Sequence, residues 1–180
     1  MNLPKAVFLG FFPKITEQSP EWLDNQSVRE ICSVSECISK GPENWIQKWQ
    51  HNELGFFDSE SLAYEVIEQH PEKFDIYAYK LFPLRCLGDE LEFITLESRF
   101  GHQLPKDYQF LGYDIVTKSV ADFFECSPLS CNYGAKQYNV NQFCLVDDQA
   151  GAMDILLEIS KDGSYEPGPY YLFEVYRKKK

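Results

Sequence analysis

The chain has 180 residues, 44% of them apolar and 16% aromatic, and a formal charge of −11. So many rings exclude a disordered chain, and the shortage of clustered Lys and Arg argues against nucleic acid as a partner. No apolar run reaches the roughly 20 residues of a membrane helix or has the shape of a secretory leader, so the six cysteines read as reduced thiols of a cytoplasmic protein.

Val7-Phe8-Leu9-Gly10-Phe11-Phe12 is an apolar run bordered by Pro4 and Pro13 and reads as a buried first strand. Ser19-Pro20-Glu21 then carries a helix-start signature. Val28, Ile31, Cys32, Ser35 and Ile38 follow at helical spacing, which predicts a helix over 20–39 that stops at Gly41-Pro42. A second short helix over 42–50 would place Trp45 and Trp49 on one face. Asp58 or Ser59 caps a third, which His70-Pro71 ends.

From Phe74 the pattern moves toward period two, and strands are predicted at 74–82, 91–96 and 108–116. Gly112 within the last of these marks a bulge or a close backbone approach. Asn141–Val146 reads as a further strand. Asp147-Asp148 caps a helix to about 160, and Tyr170–Tyr176 is a strand apolar on both faces and therefore covered on both. Helical spacings come early and strand patterns later. The expectation is an α+β fold in one domain over 1–180, with N-terminal helices packed on a mainly antiparallel or mixed β-sheet and a frayed basic tail at 177–180.

The segment Cys126-Ser-Pro-Leu-Ser-Cys131-Asn132-Tyr133-Gly134 fits neither periodicity and reads as a turn between strands. Its thiols are candidates for nucleophilic catalysis, with His102 as the base such a thiol needs. Cys32 and Cys37 repeat the C-x₄-C spacing, so Cys32, Cys37, Cys126 and Cys131 form a four-thiolate alternative for zinc. Asn132 and Tyr133, with Trp45 and Trp49, are candidate binding residues. There is no P-loop, dinucleotide-binding glycine pattern, HExxH or GxSxG motif.

Acidity, aromatic content and the lack of a catalytic motif point first to a regulatory or interaction protein with a basic protein partner and no cofactor. A small-molecule enzyme using a thiol in 123–134 is the alternative, and a structural zinc protein is the third reading.

Overall fold

The computed structural model describes residues 3–47, 50–96, 103–118 and 123–180. In chain order they form β1 (Val7–Lys14), β2 (Glu17–Gln18), β3 (Glu30–Ile31), α1 (Glu60–Glu65), β4 (Asp75–Leu81), β5 (Leu84–Leu87), β6 (Glu90–Phe93), β7 (Tyr108–Lys118), β8 (Phe124–Cys126), α2 (Pro128–Cys131), α3 (Gln149–Lys161) and β9 (Tyr170–Lys178).

Seven strands make one antiparallel sheet, with β9 at its centre. One edge of β9 pairs with β7 along Tyr108–Thr117. The other pairs with β4 and then, past Phe82 and Pro83, with β5. β1 lies outside β4, β6 outside β5 and β8 outside β7. The two-residue strands β2 and β3 pair only with each other.

Both faces of β9 are covered, as its sequence pattern predicts. Tyr171, Phe173 and Val175 enter one apolar cluster with residues of β1, β4 and the 54–67 region. Tyr170 and Leu172 enter the other, with Ala152, Leu156 and Ile159 of α3. Those three residues recur at helical spacing and are fully buried, each larger side chain contributing about 1.5–3 kcal/mol by leaving water. Asp148 caps this helix by accepting from the Gly151 amide at 2.8 Å, and Ser59 caps α1 by accepting from Leu62 at 3.2 Å. Gly112 sits at a bulge of β7 with φ +147°, where a Cβ would lie 2.8 Å from the Val146 carbonyl oxygen.

The expected arrangement of N-terminal helices on the sheet is overturned. The longest α-helix among the described residues is α3, late in the chain, and residues 20–39 hold only one 3₁₀ turn at Glu21–Leu23. Glu30 and Ile31 pair with Gln18 and Glu17 instead. Beyond them, the carbonyls of Ser33, Val34 and Ser35 all turn toward the ammonium of Lys14. In an α-helix those carbonyls run parallel to the axis toward amides four residues on, so three in succession do not converge on one ammonium as they do here. Among the described residues of 42–50 the helical part is a 3₁₀ turn at Trp45–Gln47, and the third helix reduces to the six residues of α1. The 141–146 strand is a loop, with Cys144 at φ +61°.

Three of the four C-terminal cations are paired. Arg177 and Lys178 close β9 and bind Glu30 and Glu60, while Lys180 reaches Asp75 at 3.1 Å. No helix among the described residues is long and apolar enough to cross a membrane.

Candidate metal centre

Three thiols from two distant segments meet at the end of β8. The sulfurs of Cys37, Cys126 and Cys131 all lie within 4.8 Å of one another. Cys126 is the last residue of β8 and Cys131 the last of α2, a single turn started by Pro128 and closed by the Cys131 amide on the Ser127 carbonyl at 2.8 Å. Gly134 follows so closely that a Cβ there would stand 2.7 Å from the Pro128 carbonyl oxygen. Cys37 arrives from the loop after β3.

Buried charges fix these two segments, with Lys14 tying the first to β1 and Asp114 bonding both. Asp114 of β7 is fully buried and shares its two oxygens between them. Oδ2 accepts from Ser33 Oγ at 2.6 Å and the Val34 amide at 2.8 Å. Oδ1 accepts from Ser127 Oγ at 2.7 Å and the Ile115 amide at 2.9 Å. Lys14, also fully buried, donates to the carbonyls of Ser33, Val34 and Ser35 at 2.7, 2.5 and 2.7 Å. An ammonium has three protons and here each has an acceptor. Ser35 completes the frame, since its hydroxyl accepts from the Cys37 amide at 3.1 Å and donates to the Glu125 carbonyl at 2.5 Å.

Burial acts on both charges. It lowers Lys14 from its ordinary 10.5 to about 8, against the attraction of Glu36 and Asp114. It also pushes the Asp114 carboxyl up, while Ser33, Ser127, the Val34 amide and Lys14 pull it back.

Among the thiols the order of acidity follows who donates to whom. Hydrogen bonding from Cys126 and Cys131 lowers the pKa of Cys37, with help from Ser35 and Lys40 against the cost of burial. The pKa of Cys126 is raised by its bonds to Cys131 and Cys37 and by burial. Cys126 pulls Cys131 down, but Cys37 and burial outweigh it. Of the three, Cys37 alone is shifted down, and it is the exposed member.

The trio fits a thiophilic ion. With no sulfur more than 4.8 Å from another, some point lies within about 2.8 Å (4.8/√3) of all three, and a zinc–thiolate bond is about 2.3 Å. Closing the site takes about half an ångström of movement per sulfur. Around it, the Cys126 thiol donates to Asn132 Oδ1 at 3.1 Å, the Cys37 thiol donates to the Glu125 carbonyl at 3.1 Å, and Ser35 Oγ stands 3.5 Å from Cys131 Sγ. In the first two contacts the thiol is the donor, so they hold the protonated thiols and are given up when those sulfurs ionise to bind an ion.

Comparison with known proteins finds no matching family model, curated protein or solved structure. The reading of the site therefore rests on its chemistry.

Of the four cysteines of the zinc alternative, three converge and Cys32 does not. Cys32 is buried, accepts from Tyr77 Oη at 3.4 Å and from Arg177 at 3.7 Å, and burial pushes its thiol up to about 12. Trp45 is a core residue. Its ring meets Phe12 edge-on at 4.9 Å and its Nε1 donates to both oxygens of Glu36. Asn132 joins the thiol site. Tyr133 is exposed beside it, with φ +60° and its ring edge-on to Trp22 at 5.8 Å. His102 and Trp49 lie outside the described residues.

Lys14, Asp114 and the serines at 33, 35 and 127 are the functional residues that sequence reasoning missed. One signal was available, namely a lone carboxylate inside the apolar run Leu111–Val116 and a lone cation closing the run Val7–Pro13. A charge inside a strand buried on both faces needs several partners, and here those partners are the cysteine loops.

Proposed function

We propose that this protein binds a soft divalent ion, zinc by its thiolate preference, through Cys37, Cys126 and Cys131, with a fourth position open to water or an external ligand. The carrying observation is the convergence of three thiols from segments 89 residues apart in sequence, held by one shared carboxylate. Reduced thiols serving only as small apolar groups have no need to face one another, and Cys86 and Cys144 are simply buried. Cobalt titration under reducing conditions provides the test. Sulfur-to-cobalt charge-transfer bands and one equivalent of zinc by elemental analysis are expected. A chain purified under mild conditions that takes up neither ion would overturn the reading.

A second reading, a nucleophilic thiol, is favoured by the acidity order and the exposure of Cys37. It places the nucleophile at Cys37 rather than at Cys126 or Cys131. Among the described residues, the cavity bordered by Phe123, Phe124, Trp45 and Glu36 has a volume of only about 30 Å³. That is about one water's share of liquid volume, against 300 Å³ or more for a usual small-molecule pocket. Iodoacetamide mapping of metal-free protein at pH 7 is expected to label Cys37 first. Labelling no faster than an unactivated exposed thiol would remove this reading.

A further inference from the structure

We infer that the thiol trio is a peroxide-operated release switch, in which oxidation joins Cys37 to Cys126 or Cys131 and expels the ion. The inference rests on the metal-binding reading above and adds the means by which the site is emptied.

Three observations carry it. First, the thiols are graded in access. Cys37 is exposed while Cys126 and Cys131 are half-buried, so an oxidant in solvent meets Cys37 first. Second, both possible resolving sulfurs lie within 4.8 Å of Cys37, and a disulfide needs an approach to about 2.05 Å. Third, Asp114 bonds both segments and Lys14 ties the first of them to β1, and the hydrogen bonds that do so involve none of the three sulfurs. The frame therefore survives loss of the ion, and the sulfurs stay near one another through the reaction.

The chemistry balances with a hydroperoxide as the only added reactant. Cys37 thiolate attacks one peroxide oxygen, the O–O bond breaks and hydroxide departs, leaving a sulfenic acid. The sulfur of Cys126 or Cys131 then attacks that sulfenic sulfur and displaces a second hydroxide. With two protons from solvent the sum is two thiolates and hydrogen peroxide to one disulfide and two waters. Two electrons pass from the sulfur pair to the peroxide. One thiolate remains, which is too few to hold zinc. Cys32, Cys86 and Cys144 are buried and do not compete.

The experiment uses the full chain loaded with zinc, one equivalent of hydrogen peroxide and a chromophoric chelator in solution. One zinc is expected to be released per disulfide formed, with the native circular dichroism retained. Peptide mapping should find Cys37 joined to Cys126 or Cys131, and dithiothreitol should restore uptake. A chain that never loads zinc fails at the first step and overturns the metal-binding reading together with the switch. A chain that loads zinc but keeps it under peroxide overturns the switch alone. So does release through a disulfide lacking Cys37, release with Cys37 as sulfinic acid, or release accompanied by loss of the native spectrum.

Discussion

The two C-x₄-C segments have the same spacing and opposite outcomes. In Cys126–Cys131 the chain leaves β8, makes the single turn of α2 and brings both sulfurs to one point. In Cys32–Cys37 the chain leaves β3 and wraps three carbonyls around Lys14, which sends Cys37 to the trio and leaves Cys32 with Tyr77 and Arg177. Spacing alone did not decide which thiols meet. What decided it was the backbone each segment adopts to satisfy a buried charge, a helical turn over Asp114 in one case and a carbonyl cage around Lys14 in the other.

The sharpest way to break this comparison is to remove the group that both segments share. Asp114→Ala strips acceptors from two hydroxyls and two amides and removes one of the two carboxylates that attract the buried Lys14. It is expected to lower unfolding stability by about 3–5 kcal/mol in urea titration. A loss under about 1 kcal/mol would mean that the segments are held by something else.

Next in size is the contrast between the first cysteines and the last. Cys131→Ser removes a ligand and is expected to weaken zinc binding by about 100-fold or more. Cys32→Ser should leave zinc affinity within about twofold, because the partners of Cys32 are Tyr77, Arg177 and Glu30, outside the trio. Competition with a chelator of known affinity reads both. Equal losses would return Cys32 to the ligand set.

Much of the fold was legible where a single periodicity governed. β1, β4, β7 and β9 were found because their apolar residues alternate or run together, and α3 because Ile155, Leu156 and Ile159 follow the capping pair Asp147-Asp148. The 20–39 region defeated the same logic. Val28, Ile31 and Cys32 are indeed buried at helical spacing, but they are buried from a strand and loop, and the spacing carries no record of Lys14, which lies nineteen residues before Ser33. Strands of two to four residues such as β2, β3 and β8 are too short to show any period. Of the site, Cys126, Cys131 and Asn132 stood out by composition. The pairing with Cys37 in preference to Cys32 did not, because it is a tertiary choice made by two charged side chains that looked incidental.

Lys14 gives the last test of that choice, and it is the mildest. Lys14→Met keeps the length and apolar stem of the side chain but leaves the carbonyls of Ser33, Val34 and Ser35 without their donor. At pH 7 the expected loss is about 2 kcal/mol of stability, with about tenfold weaker zinc binding as Cys37 loses its fixed approach. The pH dependence separates this from a general packing defect. Below about pH 8 Lys14 is charged in both the folded and the unfolded chain. Between about 8 and the ordinary 10.5 the unfolded chain keeps that proton and the folded chain has released it. The unfolded state then binds more protons, so wild-type stability rises with pH across that window. The Met variant lacks this term while sharing every other titrating group, so the gap between wild type and variant should widen from pH 8 upward. A gap that stays flat or closes would show that the Lys14 ammonium is not held away from water, and the carbonyl cage would no longer explain why Cys37 and Cys32 part.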